Sequence, residues 1–290
     1  MSDEQERPAW SEQFNPEAIQ PLLQLGPITE LSPEWAYGGS TGRGIRVAVV
    51  DSGVEYDHPA VGDSVKGGVV VEFDENAENL VRYEWDNPPQ DVAGHGTACA
   101  GIIHALAPEA EIFSVRVLGS NMKGRAIQFA GGLDWAIENN IQVVNMSLST
   151  AKEDYFGLFH DLVDQAYFKN MNLVCAASNY PEASYPSLYA SVISVAAYEG
   201  TDPFKYYYNP KPPVEFGAPG IELDVAWNNK MYVNSTGNSF ATPHIAGIVT
   251  LIRSKHPGLT PFQVKTILQA CAANPPLAEK PRKSRTTTSR

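Results

Sequence analysis

The chain has 290 residues, 43% of them hydrophobic, and a formal net charge of −12. A chain of this length can bury the core of one large α/β domain. Its negative charge disfavours binding to nucleic acid and to anionic membrane surfaces, so we expect neither as a partner.

Predicted strands and helices alternate along the chain. The unbroken apolar run at 45–50 is typical of a parallel strand that is buried on both faces. Further strands are predicted at 112–117, 142–148, 173–177 and 192–197. Helical patterns are predicted at 95–105, 126–139, 155–169 and 239–255, and a capping pattern at Thr260 starts a last helix that runs to about Ala272. This alternation predicts an α/β fold with a mostly parallel sheet, helices on both faces and functional residues at the carboxyl ends of strands.

Three residues with complementary chemistry stand in short glycine-containing motifs. Asp51 ends the first predicted strand and begins Asp-Ser-Gly, His95 begins His-Gly-Thr, and Ser239 lies within Gly-Asn-Ser-Phe-Ala-Thr-Pro. A serine hydroxyl can attack a carbonyl, an imidazole can take its proton, and a carboxylate can orient the imidazole and support its charge. Ser239 also begins a predicted helix, where free backbone N–H groups favour a developing negative charge. We therefore expect a hydrolase with these three catalytic residues.

With the order Asp, His, Ser, the chain resembles the subtilisin-like serine peptidases, the subtilases, from about 26 to 272. The likeness includes the stretches 144–148, 176–179 and 216–220. The resemblance implies a subtilisin-like three-layer fold and a serine endopeptidase that hydrolyses peptide bonds through an acyl-enzyme at Ser239.

The resemblance also predicts the domain organisation. The subtilase catalytic domain is expected at 26–274. An N-terminal extension at 1–25 is expected to be flexible or inhibitory. A basic tail at 275–290 is expected to be disordered, because its proline, lysine, arginine and threonine residues offer nothing to bury.

The resemblance implies further site residues. Asn179 matches the family's side-chain donor to the oxyanion. The expected substrate-binding residues lie on the backbone edges between which the family pairs its substrate as an added strand: Gly124, Ser147, Leu148, Ser149 and Ser178. For Leu148 the alternative is the end of a core strand. Ser178 replaces the usual glycine, so the side chains of Ser149 and Ser178 are expected on both walls of the first specificity pocket.

The chain departs from the family around His95. It passes directly through 104–108, where many subtilases insert a calcium-binding loop, so we expect no bound metal and no cofactor. The acidic segment 72–91 is either a solvated loop or a surface that attracts basic substrate residues. Cys99, one helical turn after His95, is either a small buried hydrophobe or a thiol beneath the catalytic residues.

Cysteine usage and the ends of the chain bear on its location. The cysteines are odd in number and widely spaced, which argues against a disulfide framework or a zinc site. The N-terminus lacks the basic-then-apolar pattern of a signal peptide, and no stretch has the apolar length of a membrane span. A cytoplasmic location is therefore expected. The family's closing segment is missing after the last helix, so further domains of a longer parent protein are also expected.

The substrate prediction is a peptide or protein. The altered pocket edges and the short turn at 179–185 favour a narrow range, such as that of a protease that matures one precursor peptide. Two alternatives stand beside it. Transfer of the acyl group to an amine would make the protein a peptide ligase or macrocyclase, and an inactive subtilase fold would serve as a peptide-binding module.

Overall fold

The computed structural model describes residues 31–84, 90–211 and 213–274. The predicted extension at 1–25 and the basic tail at 275–290 lie outside these residues. The strands are β1 (Arg46–Asp51), β2 (Val65–Asp74), β3 (Asn79–Glu84), β4 (Glu111–Arg116), β5 (Val143–Met146), β6 (Asn172–Ala176), β7 (Ile193–Tyr198), β8 (Tyr207–Tyr208), β9 (Phe216–Pro219), β10 (Leu223–Trp227) and β11 (Met231–Ser235). The helices are α1 (Pro33–Tyr37), α2 (His95–Leu106), α3 (Ala126–Glu138), α4 (Phe156–Phe168), α5 (Asn238–Lys255) and α6 (Pro261–Cys271).

In the described part of the chain, one sheet of nine strands has the order β3-β2-β4-β1-β5-β6-β7-β9-β8. All neighbouring pairs from β2 to β9 are parallel, and only β3 and β8, at the two edges, run antiparallel to their neighbours. β10 and β11 form a separate antiparallel hairpin. The predicted α/β class with a mostly parallel sheet is confirmed.

Helices cover both faces of the sheet. Successive side chains of a strand point to opposite faces, so one strand contributes to the core on each side. Val47 and Val49 of β1 belong to a core that they share with α2, α5 and α6. Ala48 and Val50 belong to a second core with α3 and α4. The three-layer arrangement is therefore the predicted one.

The hairpin formed by β2 and β3 was not predicted, since its acidic residues indicated a loop. Some of its charges are paired with residues of other elements. Arg116 donates to Glu72 at 3.1 Å, and Arg82 forms ion pairs with Asp134 at 2.6 Å and Glu138 at 2.5 Å. Glu75 pairs with Arg125. Residues 72–74 and 79–84 are therefore strand where a loop was predicted, while the turn at 75–78 is exposed as predicted and residues 85–89 lie outside the described residues. The attraction of this segment for basic substrates is weakened, because arginines already neutralise part of its charge.

The connection from α2 to β4 is as direct as the sequence predicts. Residues 107–110 join the two elements. Their only side-chain oxygens belong to Glu109, which Arg43 binds at 2.6 Å and to which Thr41 also donates. Separately, no helix among the described residues is both long enough and apolar enough to cross a bilayer.

This connection predicts a small effect of metal removal. A calcium site needs about six to eight oxygen ligands, and residues 107–110 supply one carboxylate that is already paired. We expect EDTA to lower the melting temperature by less than about 5 °C, because a ligand stabilises a fold only through its binding to the native state. Differential scanning calorimetry with and without EDTA checks this. A larger fall that calcium reverses and magnesium does not would contradict it.

Candidate active site

The predicted site residues meet at the carboxyl edge of the parallel sheet. Asp51 ends β1, Ser147 follows β5, and Asn179 follows β6, and these three strands are adjacent in the order β1-β5-β6. Parallel strands end at the same edge, so residues far apart in the sequence lie close together there.

Asp51 and His95 form a buried pair. His95 Nδ1 lies 2.9 Å from both carboxylate oxygens of Asp51, and the relative exposures are 0% for Asp51 and 8% for His95. The Ser52 backbone N–H donates to Asp51 Oδ1 at 2.7 Å. With Nδ1 committed to the carboxylate, the imidazole has Nε2 left to exchange a proton with another group.

A second buried carboxylate fixes the start of α2, the helix that carries His95. Asp91 accepts from the backbone N–H groups of Ala93 at 2.9 Å, Gly94 at 2.8 Å and Thr97 at 2.8 Å. The Ser52 hydroxyl also donates to Asp91, at 2.7 Å. Asp91 thus satisfies N–H groups that a helix start leaves without partners, and it links them to the segment after β1.

Two opposing effects act on the His95 imidazole. Burial lowers its pKa, but the charge of Asp51 raises it, and so does the hydrogen bond to Asp51, so that the pKa lies well above the ordinary 6.5. The imidazolium is the better partner for a buried carboxylate, which explains the direction.

Cys99 lies beneath this pair, and both readings of it from the sequence are partly correct. Its Sγ is 3.9 Å from Asp51 Oδ2, 4.0 Å from His95 Nδ1 and 3.3 Å from Ser147 Oγ. Burial raises the pKa of the Cys99 thiol, so it remains neutral near pH 7. A neutral buried thiol is a poor nucleophile, and Cys99 therefore packs against the site rather than competing with Ser239.

The nucleophile candidate Ser239 is the second residue of α5. Its carbonyl oxygen accepts from the Ser147 hydroxyl at 2.8 Å, and Ser147 in turn accepts from Asn145 Nδ2 at 3.0 Å. The Ser147 side chain therefore supports Ser239 from below, a role that the sequence did not predict, and its pairing with substrate stays a prediction.

The Asn179 carboxamide has a defined orientation. The Asn238 backbone N–H donates to Asn179 Oδ1 at 3.0 Å. The oxygen end of the carboxamide is therefore held against the start of α5, and Nδ2 is the end that remains available to bind an anion. Asn179 itself is exposed.

A cleft of about 430 Å³ brings the predicted residues together. Of the predicted residues it is lined by His95, Ser239, Asn179, Ser147, Leu148, Ser149 and Ser178. Asp51 is not at the cleft surface, because it lies behind His95. Leu148 lines the cleft and also packs against the core that contains α4, and its contact with substrate stays a prediction.

Other lining residues were missed, and Gly124 is not among those that line the cleft. The missed residues come from the loop after β4, from α3 and from the turn after β6: Leu118, Met122, Phe129 and Tyr180. Gly124 lies in the same loop as Met122, but a Cβ there would sit 2.5 Å from the Val117 carbonyl, so its place reflects close backbone packing. Its pairing with substrate stays a prediction. The missed residues gave no signal, because single apolar side chains are common both in cores and on surfaces.

One group among the described residues has the composition of a metal site. Ligand atoms of Asp51, His95 and Cys99 lie within 4.8 Å of one another. Asp51 and His95 are already hydrogen-bonded together, and Cys99 is protonated near neutral pH, so the group is better suited to proton transfer than to holding an ion.

Comparisons with known proteins agree with this geometry. The Subtilase family matches residues 42–287. The chain is 33% identical over 253 residues to minor extracellular protease Epr of Bacillus subtilis (strain 168), covering 83% of this chain and 36% of the relative. It is 34% identical over 254 residues to subtilisin E of the same strain, covering 81% of this chain and 62% of the relative. It is also 34% identical to subtilisin of Bacillus pumilus, covering 81% of this chain and 86% of the relative.

A solved structure agrees as well. The crystal structure of a cold adapted subtilisin-like serine proteinase matches with a TM-score of 0.63 and 25% sequence identity, covering 80% of this chain and 83% of that one. The chain spans less than two thirds of the length of the first two relatives, protease Epr and subtilisin E. The family match covers most of the sequence, and the chain therefore belongs to the subtilase family.

Proposed function

We propose that this protein is a serine endopeptidase that cleaves peptide bonds through an acyl-enzyme at Ser239. The proposal rests on the contact of His95 Nδ1 with both oxygens of Asp51, at 2.9 Å each, beside a cleft that His95, Ser239 and Asn179 all line. Membership of the subtilase family supports it, and so do the names of two relatives, protease Epr and subtilisin E.

In the proposed reaction, Ser239 Oγ attacks the substrate carbonyl carbon while His95 Nε2 takes the hydroxyl proton. Asp51 stabilises the imidazolium that forms. The negative charge on the carbonyl oxygen receives a hydrogen bond from Asn179 Nδ2 and lies near the N-terminus of α5. His95 then gives its proton to the leaving amine, and a water molecule, activated by His95, hydrolyses the ester and releases Ser239.

We further propose a narrow range of peptide substrates. The turn that follows Asn179 is held by hydrogen bonds: the Ser178 N–H donates to Ser184 Oγ at 3.1 Å, and the Ser178 hydroxyl donates to Glu182 at 3.1 Å. The backbones of Thr150 and Tyr185 pair at 2.9 and 2.8 Å. A braced wall that carries the Ser149 and Ser178 side chains has less room to adapt than a wall of glycines.

A cytoplasmic location fits the cysteines, which are all free thiols buried in the fold. A peptide or protein substrate is the partner that the proposal requires. Transfer to an amine in place of water remains the second activity that the same acyl-enzyme would allow.

Labelling with a fluorophosphonate probe tests the nucleophile. We expect the purified protein to react covalently and Ser239→Ala to be unlabelled with an unchanged melting temperature, because the hydroxyl serves the chemistry and fills little core volume. Mass spectrometry of the labelled peptide checks the position. Folded wild-type protein that does not react would contradict the proposal and favour an inactive, peptide-binding role.

Cleavage of a randomised peptide library tests the substrate range. We expect cleavage after a small subset of residues, because the braced turn restricts the first pocket. Ser178→Gly, which removes a wall side chain, is expected to widen that subset. Ser191→Gly, in the turn before β7 at the opposite edge of the sheet, serves as the control. Uniform cleavage after many residue types by the wild-type protein would contradict a narrow range.

The pH dependence follows from the raised pKa of His95. Protonated imidazole cannot accept the Ser239 proton, so kcat/KM is lost as the pH falls through this pKa and is regained above it. We expect the midpoint of the rising limb above pH 6.5, measured with a fluorogenic peptide. Asp51→Asn should move the midpoint to lower pH and reduce kcat by on the order of 10⁴-fold. A flat profile from about pH 5 to 8 would exclude His95 as the base.

A further inference from the structure

We propose that the Asn238 side chain is a positioning residue that fixes the orientation of the Asn179 carboxamide. Asn238 stands directly before Ser239 and is the first residue of α5. The inference rests on the proposed function, in which Asn179 Nδ2 donates to the oxyanion.

The Asn238 side chain joins three segments of backbone. Its Oδ1 accepts from the Ala197 N–H in β7 at 2.8 Å. Its Nδ2 donates to the carbonyl oxygens of Ala177 at 3.2 Å and Ser178 at 3.0 Å. These two carbonyls belong to the segment that leads from β6 to Asn179. One side chain therefore ties the start of α5 to β7 and to the residues immediately before Asn179.

The Asn238 backbone completes the link, because its N–H donates to Asn179 Oδ1 at 3.0 Å. A carboxamide has an acceptor end and a donor end, and reversal of the group would present oxygen in place of N–H to a negative charge. Asn179 is exposed, so packing alone does not prevent reversal. The Asn238 N–H prevents it only while the 177–179 segment stays at a fixed distance from α5, and the Asn238 side chain holds that distance.

This arrangement requires both a donor and an acceptor on a short planar group. An aspartate at 238 would lack the N–H groups that bind the two carbonyls, and an alanine would lack all three contacts. The loss expected is one of orientation, which acts on the transition state rather than on substrate binding. It should therefore appear in kcat and leave KM nearly unchanged.

A double-mutant cycle tests the inference. Kinetics on the best library peptide are measured for the wild type, Asn179→Ala, Asn238→Ala and the double variant. We expect Asn179→Ala to lower kcat by about 10²- to 10³-fold. Asn238→Ala should lower kcat by about 10- to 100-fold, and the double variant should be no slower than Asn179→Ala, within about threefold, because Asn238 acts through Asn179.

Two controls separate positioning from a general loss of structure. Asn234→Ala removes an exposed asparagine whose side chain contacts Asp224 at 3.0 Å in the β10–β11 hairpin, and it should leave kcat unchanged. The pH midpoint of Asn238→Ala should equal that of the wild type, since the contacts of His95 are intact. Asn238→Thr, which keeps a similar volume, is the second variant if Asn238→Ala does not fold. Combined with Asn179→Ala, it should again be no slower than Asn179→Ala alone.

Three outcomes would overturn the inference. Independent, multiplicative losses in kcat would show that Asn238 does not act through Asn179. A rise in KM with unchanged kcat would place its effect on substrate binding. Loss of the folded state in both variants would make Asn238 a determinant of folding alone. Failure of the proposed function is recognised separately, because the wild type would then show no turnover that Ser239→Ala abolishes.

Discussion

The buried negative charge of Asp51 is the constraint on which the site depends. A carboxylate removed from water is costly unless hydrogen bonds and a positive partner replace the solvent. Asp51 has the Ser52 N–H and the His95 imidazole for this purpose. His95 can reach it only because α2 approaches the segment after β1 very closely: a Cβ at Gly96 would lie 2.0 Å from the Gly53 carbonyl oxygen. The glycine in His-Gly-Thr is therefore a requirement of the ion pair.

The same two segments are joined a second time through Asp91. Its carboxylate binds the start of α2 and the Ser52 hydroxyl, and the Thr97 hydroxyl donates to it at 2.8 Å. Ser52 also accepts from the Gly96 N–H at 3.1 Å. Two buried carboxylates thus share one short network of backbone donors, so the imidazole is fixed in position before any substrate binds. Such preorganisation lowers the reorganisation needed during reaction.

The sequence predicts those parts of the site that local patterns encode. Asp51, His95 and Ser239 stand in motifs whose neighbours also determine the local backbone, and the apolar runs predict the central strands. The β2–β3 hairpin escaped prediction because Arg116, Arg125 and Asp134, which pair with its charges or its arginine, lie far along the chain. For the same reason the supporting role of Ser147 could not be read from its motif: its partner, the Ser239 carbonyl, is distant in sequence.

The start of α5 combines three tasks in three consecutive residues. Asn238 binds the segment before Asn179, the Ser239 carbonyl is held by Ser147, and the Phe240 ring packs against His95 with a centroid distance of 5.1 Å. The first turn of α5 therefore carries the nucleophile and contacts both the oxyanion donor Asn179 and the imidazole of His95. Because the Asp51 and Asp91 network holds the imidazole separately, a displacement of that turn would shift Ser239 relative to His95. Since proximity and orientation supply a large part of catalysis, the contacts that fix this turn to β7, to Ser147 and to the segment before Asn179 are needed to keep the nucleophile in register with its base.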